Sequence, residues 1–310
     1  MSCYIAIDGG TTNTRVHVVR DGEILEIVRL PYGSNPRDKD HLPAALRAAV
    51  CELKNRYKDS ACVIGCGMLT SECGLAHIPH LLAPAGVREL HRGMVSLPSL
   101  TFGDMPVFLI PGVCTAGKDF LQVDMVRGEE TELIGLVDTP SDDCVYILPG
   151  SHSKILRVDE EGRLLSIRSF MTGEMQAALA GHTILSGSVD IRQPADDDYL
   201  REGYEFTARQ GVNEALLKVR TMDVVFHEPS AARYGFFLGA ILYGEVSEII
   251  KTPERRVVVG GQPRLKDATC RLLAMLCDKE VIEIPQERAA TAVVRGMVRI
   301  YEYREEGETE

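Results

Sequence analysis

The sequence predicts an α/β protein of two similarly built domains. A strand–turn–strand unit with small residues in its turn occurs twice, at residues 4–19 and 144–158. Strands then alternate with helix-period segments after each unit. The chain of 310 residues is long enough for two ordinary domains, each with its own core. The boundary is expected near residue 140, giving domains 1–140 and 141–310.

The first unit organises the rest. Tyr4 to Ile7 is β-rich and reads as a strand, and Val16 to Val19 as its return. Between them lie Asp8, Gly9, Gly10, Thr11 and Thr12. Glycines let a backbone approach phosphate oxygens and present its N–H groups as an anion nest. Thr11 and Thr12 add hydroxyls, and Asp8 suits the Mg²⁺ that accompanies a nucleotide. The plain alternative is an ordinary Gly-rich hairpin. No Gly-Lys-Ser/Thr closes the loop, so it is not a P-loop. A strand follows it, which excludes the dinucleotide fingerprint.

Residues 23–30 continue the meander, and 31–40 form a loop. Apolar residues at helical spacing (Leu42, Ala45, Leu46, Ala49, Val50, Leu53) predict a helix over 42–57. A short strand at 61–64 leads into the loop Gly65–Gly74, which contains Gly67 and Met68. Ligands bind beyond the carboxyl ends of such strands, so this loop is a candidate substrate wall or else a plain connection. A strand at 107–110 follows. From Glu129 a helix opens with acidic residues in its first turn, which suits the helix dipole. Arg127, Glu129 and Glu130 lie at that loop-to-helix junction.

The second unit has strands at 144–148 and 155–158 around Pro149, Gly150, Ser151, His152, Ser153 and Lys154. It repeats the first plan and is expected to be a second phosphate loop. A strand at 167–170 ends in Met171-Thr172-Gly173-Glu174, with a helix from 175 to 180. Residues 187–203 read as a polar excursion and 205–217 as a helix. An apolar helix over 231–250 carries Gly235, Gly239 and Gly244, which allow close backbone packing. A strand at 255–259 runs into Gly260-Gly261, followed by a helix at 265–277, a strand at 281–284 and a helix at 289–303.

The net charge of −11 argues against nucleic acid as a partner. No signal peptide or bilayer-length apolar run is visible, so neither export nor a membrane is expected. Nine cysteines without a disulfide framework fit a reduced, cytoplasmic protein. Cys62, Cys66, Cys73 and His77 match no zinc-knuckle spacing, and 62–65 reads as a buried strand.

Asp8-Gly9-Gly10-Thr11-Thr12 followed by Arg15 resembles the first phosphate motif of the acetate and sugar kinase, Hsp70 and actin superfamily. That implies a two-domain actin-like ATPase (ribonuclease H-like) fold, an ATP cleft between the domains and a last helix returning toward the first. Arg127-Gly128-Glu129-Glu130-Thr131, Pro149–Lys154 and Met171-Thr172-Gly173-Glu174 narrow the resemblance to the 2-dehydro-3-deoxygalactonate kinases. The Gly65–Gly74 loop and helix 231–246 are similar to that family too. Gly9-Gly10 stands where the family commonly has Trp-Gly, Ser151 where it often has Thr, and Ile155 where an aromatic is usual.

The resemblance implies ATP- and Mg²⁺-dependent phosphorylation of 2-dehydro-3-deoxy-D-galactonate to its 6-phosphate. The ATP side would comprise Asp8, Gly10, Thr11, Thr12, Gly150, Ser151, His152, Lys154, Gly260 and Gly261, with Asp8 also on the metal. Lys154 either contacts phosphate or is a solvent-facing strand lysine. Arg15, Gly67, Met68, Arg127 and Glu174 would face the sugar acid, Arg15 or Arg127 meeting its carboxylate. Related sugar kinases place the base at the start of the helix preceding the second hairpin, which selects Glu129, with Glu130 as the alternative. Competing readings are a kinase of a related sugar acid and a non-catalytic nucleotide switch. Homo-oligomerisation is compatible with all of them.

Overall fold

The computed structural model describes residues 2–98, 102, 104–138, 141 and 143–304. By their contacts these residues form two compact units. The first comprises the chain through Ser141, Val158–Ile167 and the segment from Glu287. The second comprises the remainder, through Arg157 and then Arg168–Gln286.

The first unit begins with β1 (Cys3–Gly9), β2 (Thr14–Arg20), β3 (Glu23–Leu30), α1 (Leu42–Arg56) and β4 (Ser60–Gly67). A single 3₁₀ turn, Met68–Thr70, follows β4. Next come β5 (Leu81–Leu82), α2 (Val87–Gly93), β6 (Val95–Ser96), β7 (Val107–Leu109), β8 (Val113–Cys114), β9 (Met125–Val126) and α3 (Glu129–Leu136). The main sheet runs β3-β2-β1-β4-β7-β6. β1 pairs antiparallel with β2 and parallel with β4, and β4 pairs parallel with β7. Leu42, Leu46, Val50 and Leu53 of α1 cover one face, packing with Ile5, Ile7, Val63 and Leu109. The short β5, β8 and β9 make a second, small sheet. Their two-residue length leaves no periodicity to read, and the sequence did not predict them.

The second unit is built on β10 (Cys144–Leu148), β11 (Ser153–Val158), β12 (Leu164–Phe170, of which Leu164–Ile167 group with the first unit, as does Val158), α4 (Thr172–His182), α5 (Asp197–Gln210), α6 (Val212–Val224), α7 (Ser230–Lys251), β13 (Arg256–Val259), α8 (Pro263–Leu276) and β14 (Glu280–Glu283). Its sheet runs β12-β11-β10-β13-β14. This repeats the β3-β2-β1-β4-β7 order of the first unit, with one antiparallel hairpin followed by parallel neighbours. A meander continued by parallel strands, present twice, is the ribonuclease H-like plan of the actin-like ATPases.

The expected helix over 205–217 is replaced by two. Gly211 has φ +85° and ends α5, and α6 starts immediately after it. A left-handed residue cannot continue a right-handed helix. Two of the three glycines of α7 act as expected: a Cβ on Gly235 would lie 2.5 Å from Asp196 O and one on Gly239 2.0 Å from Leu200 O of α5, whereas one on Gly244 would meet only the Phe170 ring at 3.5 Å, an ordinary contact. Among the described residues, no helix is long and apolar enough to cross a membrane.

The last helix, α9 (Gln286–Tyr301), packs within the first unit from Glu287 onward. Cβ atoms on Gly135 of α3 or Gly296 of α9 would meet the other helix's backbone oxygens within 2 Å. Arg299 donates to the Ile134 and Val137 carbonyls, and Arg288 to that of Leu136. The carbonyl end of α3 is thus capped by cations, which suits its dipole. This fixes the helix that carries Glu129.

Candidate active site

In the first unit, β1 delivers Asp8 to the carboxyl end of a central strand, opposite Arg15 on β2 and beside Cys66 on β4. The Arg15 guanidinium lies 2.7 Å from the Asp8 carboxylate. Burial nevertheless raises the Asp8 carboxyl above its usual range, with Arg15 opposing. The turn after it is held by its carbonyls. Ser34 N donates to Gly10 O (3.0 Å), and Asn35 Nδ2 donates to Thr11 O (2.7 Å). In a planar trans peptide the N–H points opposite the C=O, so these bonds aim the Thr11 and Thr12 amides away from the 33–38 loop. Thr11, Thr12 and Asn13 are exposed.

Three glycines bring the neighbouring segments together. A Cβ on Gly67 would lie 2.5 Å from Gly9 O, and one on Gly128 3.3 Å from Gly67 Cα. Both have positive φ, +71° and +105°. The Gly67–Met68 loop and the Arg127–Glu129 junction therefore sit at the Asp8 turn. Glu129 Oε2 accepts from Arg127 N (3.1 Å) and is partly exposed. Glu130 is 2% exposed, and both its oxygens accept from Gly128 N (3.0 and 2.8 Å). Thr131 Oγ1 donates to it as well. Burial, then the neighbouring Glu129, pushes Glu130 up to about 7.

Arg127 is occupied by the protein. It donates to Thr70 Oγ1 (2.7 Å) and Ile78 O (2.9 Å), bracing the segment that follows Met68. Burial lowers its affinity for its proton. Glu132 was not singled out from the sequence. Burial, then Glu129 and Asp8, pushes it up to about 8. The signal was available, since positions three apart share a helix face. Asp8 and Glu129 are thus close enough to Glu132 to raise its affinity for a proton, with Arg15 opposing. Among the described residues no three side chains form a metal cage. Mg²⁺ suits this arrangement, because it takes one or two carboxylates and fills its shell with phosphates and water.

In the second unit the hairpin between β10 and β11 is held the same way. Gly173 N donates to Gly150 O (3.1 Å), Glu174 N to Ser151 O (3.0 Å), and Lys154 Nζ to His152 O (2.9 Å). Three successive carbonyls are tied back, which turns the Ser151, His152 and Ser153 amides the other way. Lys154 is 5% exposed, so its solvent-facing alternative fails: its ammonium folds back onto the loop. His152 Nε2 pairs with Glu174 Oε2 at 2.7 Å. Glu174 therefore belongs to this loop's surroundings, and Arg15, Gly67, Met68 and Arg127 belong to the first unit. Gly260 and Gly261 join the second loop directly. Gly261 has φ +76°, and a Cβ there would lie 2.2 Å from Pro149 O. Gln262 N donates to that same oxygen at 2.6 Å.

Cys62 and Cys66 lie inside β4. The Cys66 thiol is pushed well above its usual range by burial and by Asp8 and Glu130.

Known proteins resemble this chain over most of its length. A 2-dehydro-3-deoxygalactonokinase of Escherichia coli (strain K12) is 28% identical over 250 residues, covering 79% of this chain and 80% of its own length. A relative from Rhizobium meliloti (strain 1021) is 29% identical over 188 residues, 60% of this chain and 59% of its own. A crystal structure from Sinorhizobium meliloti, provisionally assigned as a 2-dehydro-3-deoxygalactonokinase, superposes with a TM-score of 0.81 at 22% identity, covering 96% of this chain and 97% of that one. It establishes the shared fold. The model of the family described as 2-keto-3-deoxy-galactonokinase matches residues 8–300. The chain belongs to the 2-keto-3-deoxy-galactonokinase family and is a kinase.

Proposed function

We propose that the chain transfers the γ-phosphoryl group of ATP to the 6-hydroxyl of 2-dehydro-3-deoxy-D-galactonate. The observation that supports this most directly is the Asp8 turn, where amides aimed by tied carbonyls lie beside a group of carboxylates at the start of α3. Phosphoryl transfer needs little covalent chemistry from a protein. It needs positioning, charge stabilisation and a proton acceptor.

Glu129 accepts the proton of the attacking hydroxyl. It is the partly exposed member of the pair, whereas Glu130 is engaged by Gly128 and Thr131 and holds the junction. Arg15 meets the substrate carboxylate, and Arg127 shapes the wall through Thr70 and Ile78. The amides of 11–12 and 151–153 orient the phosphates, with Lys154 keeping its loop in place. Gly260 and Gly261 take the adenosine side. Asp8 would hold Mg²⁺, which when bound neutralises phosphate charge. A cytoplasmic location fits a dependence on ATP, and the nine free thiols support that reading.

The test is a coupled ADP-release assay over a panel of 2-keto-3-deoxy sugar acids. The galactonate isomer should give the highest kcat/KM. A higher value for the gluconate isomer would move the substrate. No ADP release with any acid would remove the kinase reading for this site.

A further inference from the structure

The buried face of helix α7 is apolar except for the Tyr234 hydroxyl, which accepts from Gln176, and one carboxyl group. Glu245 is 0% exposed. Its Oε2 accepts from Thr172 Oγ1 at 2.8 Å, while its Oε1 is buried with no hydrogen bond of ordinary geometry and the Ser153 hydroxyl of the second hairpin is the carboxyl's other polar neighbour. Leaving a buried acceptor unpaired is unfavourable, so the group is not explained by packing alone. Thr172 is the first residue of α4. The next two amides, of Gly173 and Glu174, are the ones that hold Gly150 O and Ser151 O. Gly173 has no room for a side chain, since a Cβ would lie 2.3 Å from Gly150 O. Burial pushes the Glu245 carboxyl up to about 7, with the Thr172 and Ser153 hydroxyls opposing.

We propose that Glu245 is a positioning residue of the second phosphate loop: through Thr172 it sets the first turn of α4, whose amides fix the loop carbonyls and so aim the Ser151 and His152 N–H groups at the ATP phosphates. This rests on the kinase reading above. Glu245 touches neither substrate and acts through four bonded groups in sequence.

The experiment is steady-state kinetics of Glu245→Leu, Thr172→Val and Glu245→Gln, with ATP and sugar acid varied separately. Leu and Val remove the link with little change in volume. Each should raise the KM for ATP by about tenfold, while kcat and the KM for the sugar acid change by less than about threefold. Gln keeps an acceptor for Thr172 and should recover most of the ATP affinity. A folded Glu245→Leu enzyme with unchanged KM for ATP overturns the proposal. So does an equal loss for both substrates, which a merely structural role would give. If Glu245→Leu does not fold, Thr172→Val decides by the same criteria. If the wild type phosphorylates no sugar acid, the functional reading fails on its own. Calorimetric Mg·ATP binding by the same three variants then tests the inference separately.

Discussion

The two hairpin loops solve one problem with different materials. Both aim backbone amides by tying down the carbonyls of the same peptides. At Gly10 and Thr11 the ties come from the loop after β3, through buried Ser34 and half-buried Asn35. That loop is itself held by Asn35 and Asp38. At Gly150 and Ser151 the ties come from the first turn of a helix linked to a fully buried carboxyl. The first loop therefore stands among charged groups and relies on local contacts. The second is coupled to the core of its unit. Damage to the first should appear mainly in the chemical step, and damage to the second in nucleotide affinity and stability.

The largest expected effect is at the charged end of the first loop. Asp8→Asn should lower kcat by more than about a thousandfold with an unchanged melting temperature, because a neutral amide is a poor Mg²⁺ ligand. Near-normal turnover at saturating magnesium would make Asp8 a turn residue and erase the contrast between the loops.

Next is the proton acceptor. Glu129→Gln should lower kcat by about a hundredfold while Mg·ATP still binds, and Glu130→Gln should be milder. A larger loss for Glu130→Gln would transfer the role to Glu130.

The buried carboxyl of the second unit should show itself in stability. Its pKa is raised in the folded state to about 7 from an unfolded value of 4.5. The folded protein then binds more protons than the unfolded chain between those values. Stability from this group is full below pH 4.5 and is lost as pH rises through 7. The stability of Glu245→Gln relative to wild type should therefore increase between pH 5 and pH 8 by about 2 kcal/mol. Urea melts at the two pH values measure it, and a pH-independent difference would uncouple the loop from the core.

The smallest effect is on the Asn35 tie of the first loop. Asn35→Ala removes one hydrogen bond to Thr11 O and should raise the KM for ATP by no more than about threefold, with an unchanged melting temperature. A loss as large as that of Thr172→Val would mean both loops are equally anchored.

The sequence alone determined the two hairpins. Alternating apolar residues and small turn residues are local signals, and Tyr4–Ile7 and Cys144–Leu148 carry them in adjacent positions. It also determined the acidic start of α3, because a run of glutamates at a helix opening is local too. The glycine-spaced face of α7 was visible by its period. What the tertiary structure decided depends on residues far apart in the chain. Lys154 is a strand lysine by sequence, and only the fold turns it inward onto His152 O. Glu245 and Thr172 are separated by 73 residues, and no periodicity links them. The break at Gly211 needed a backbone dihedral that glycine permits but does not announce. Glu129 and Glu130 are chemically alike and adjacent in sequence. Their difference arises when Gly67 and Gly128 pack together and one carboxylate is enclosed while the other stays open to solvent.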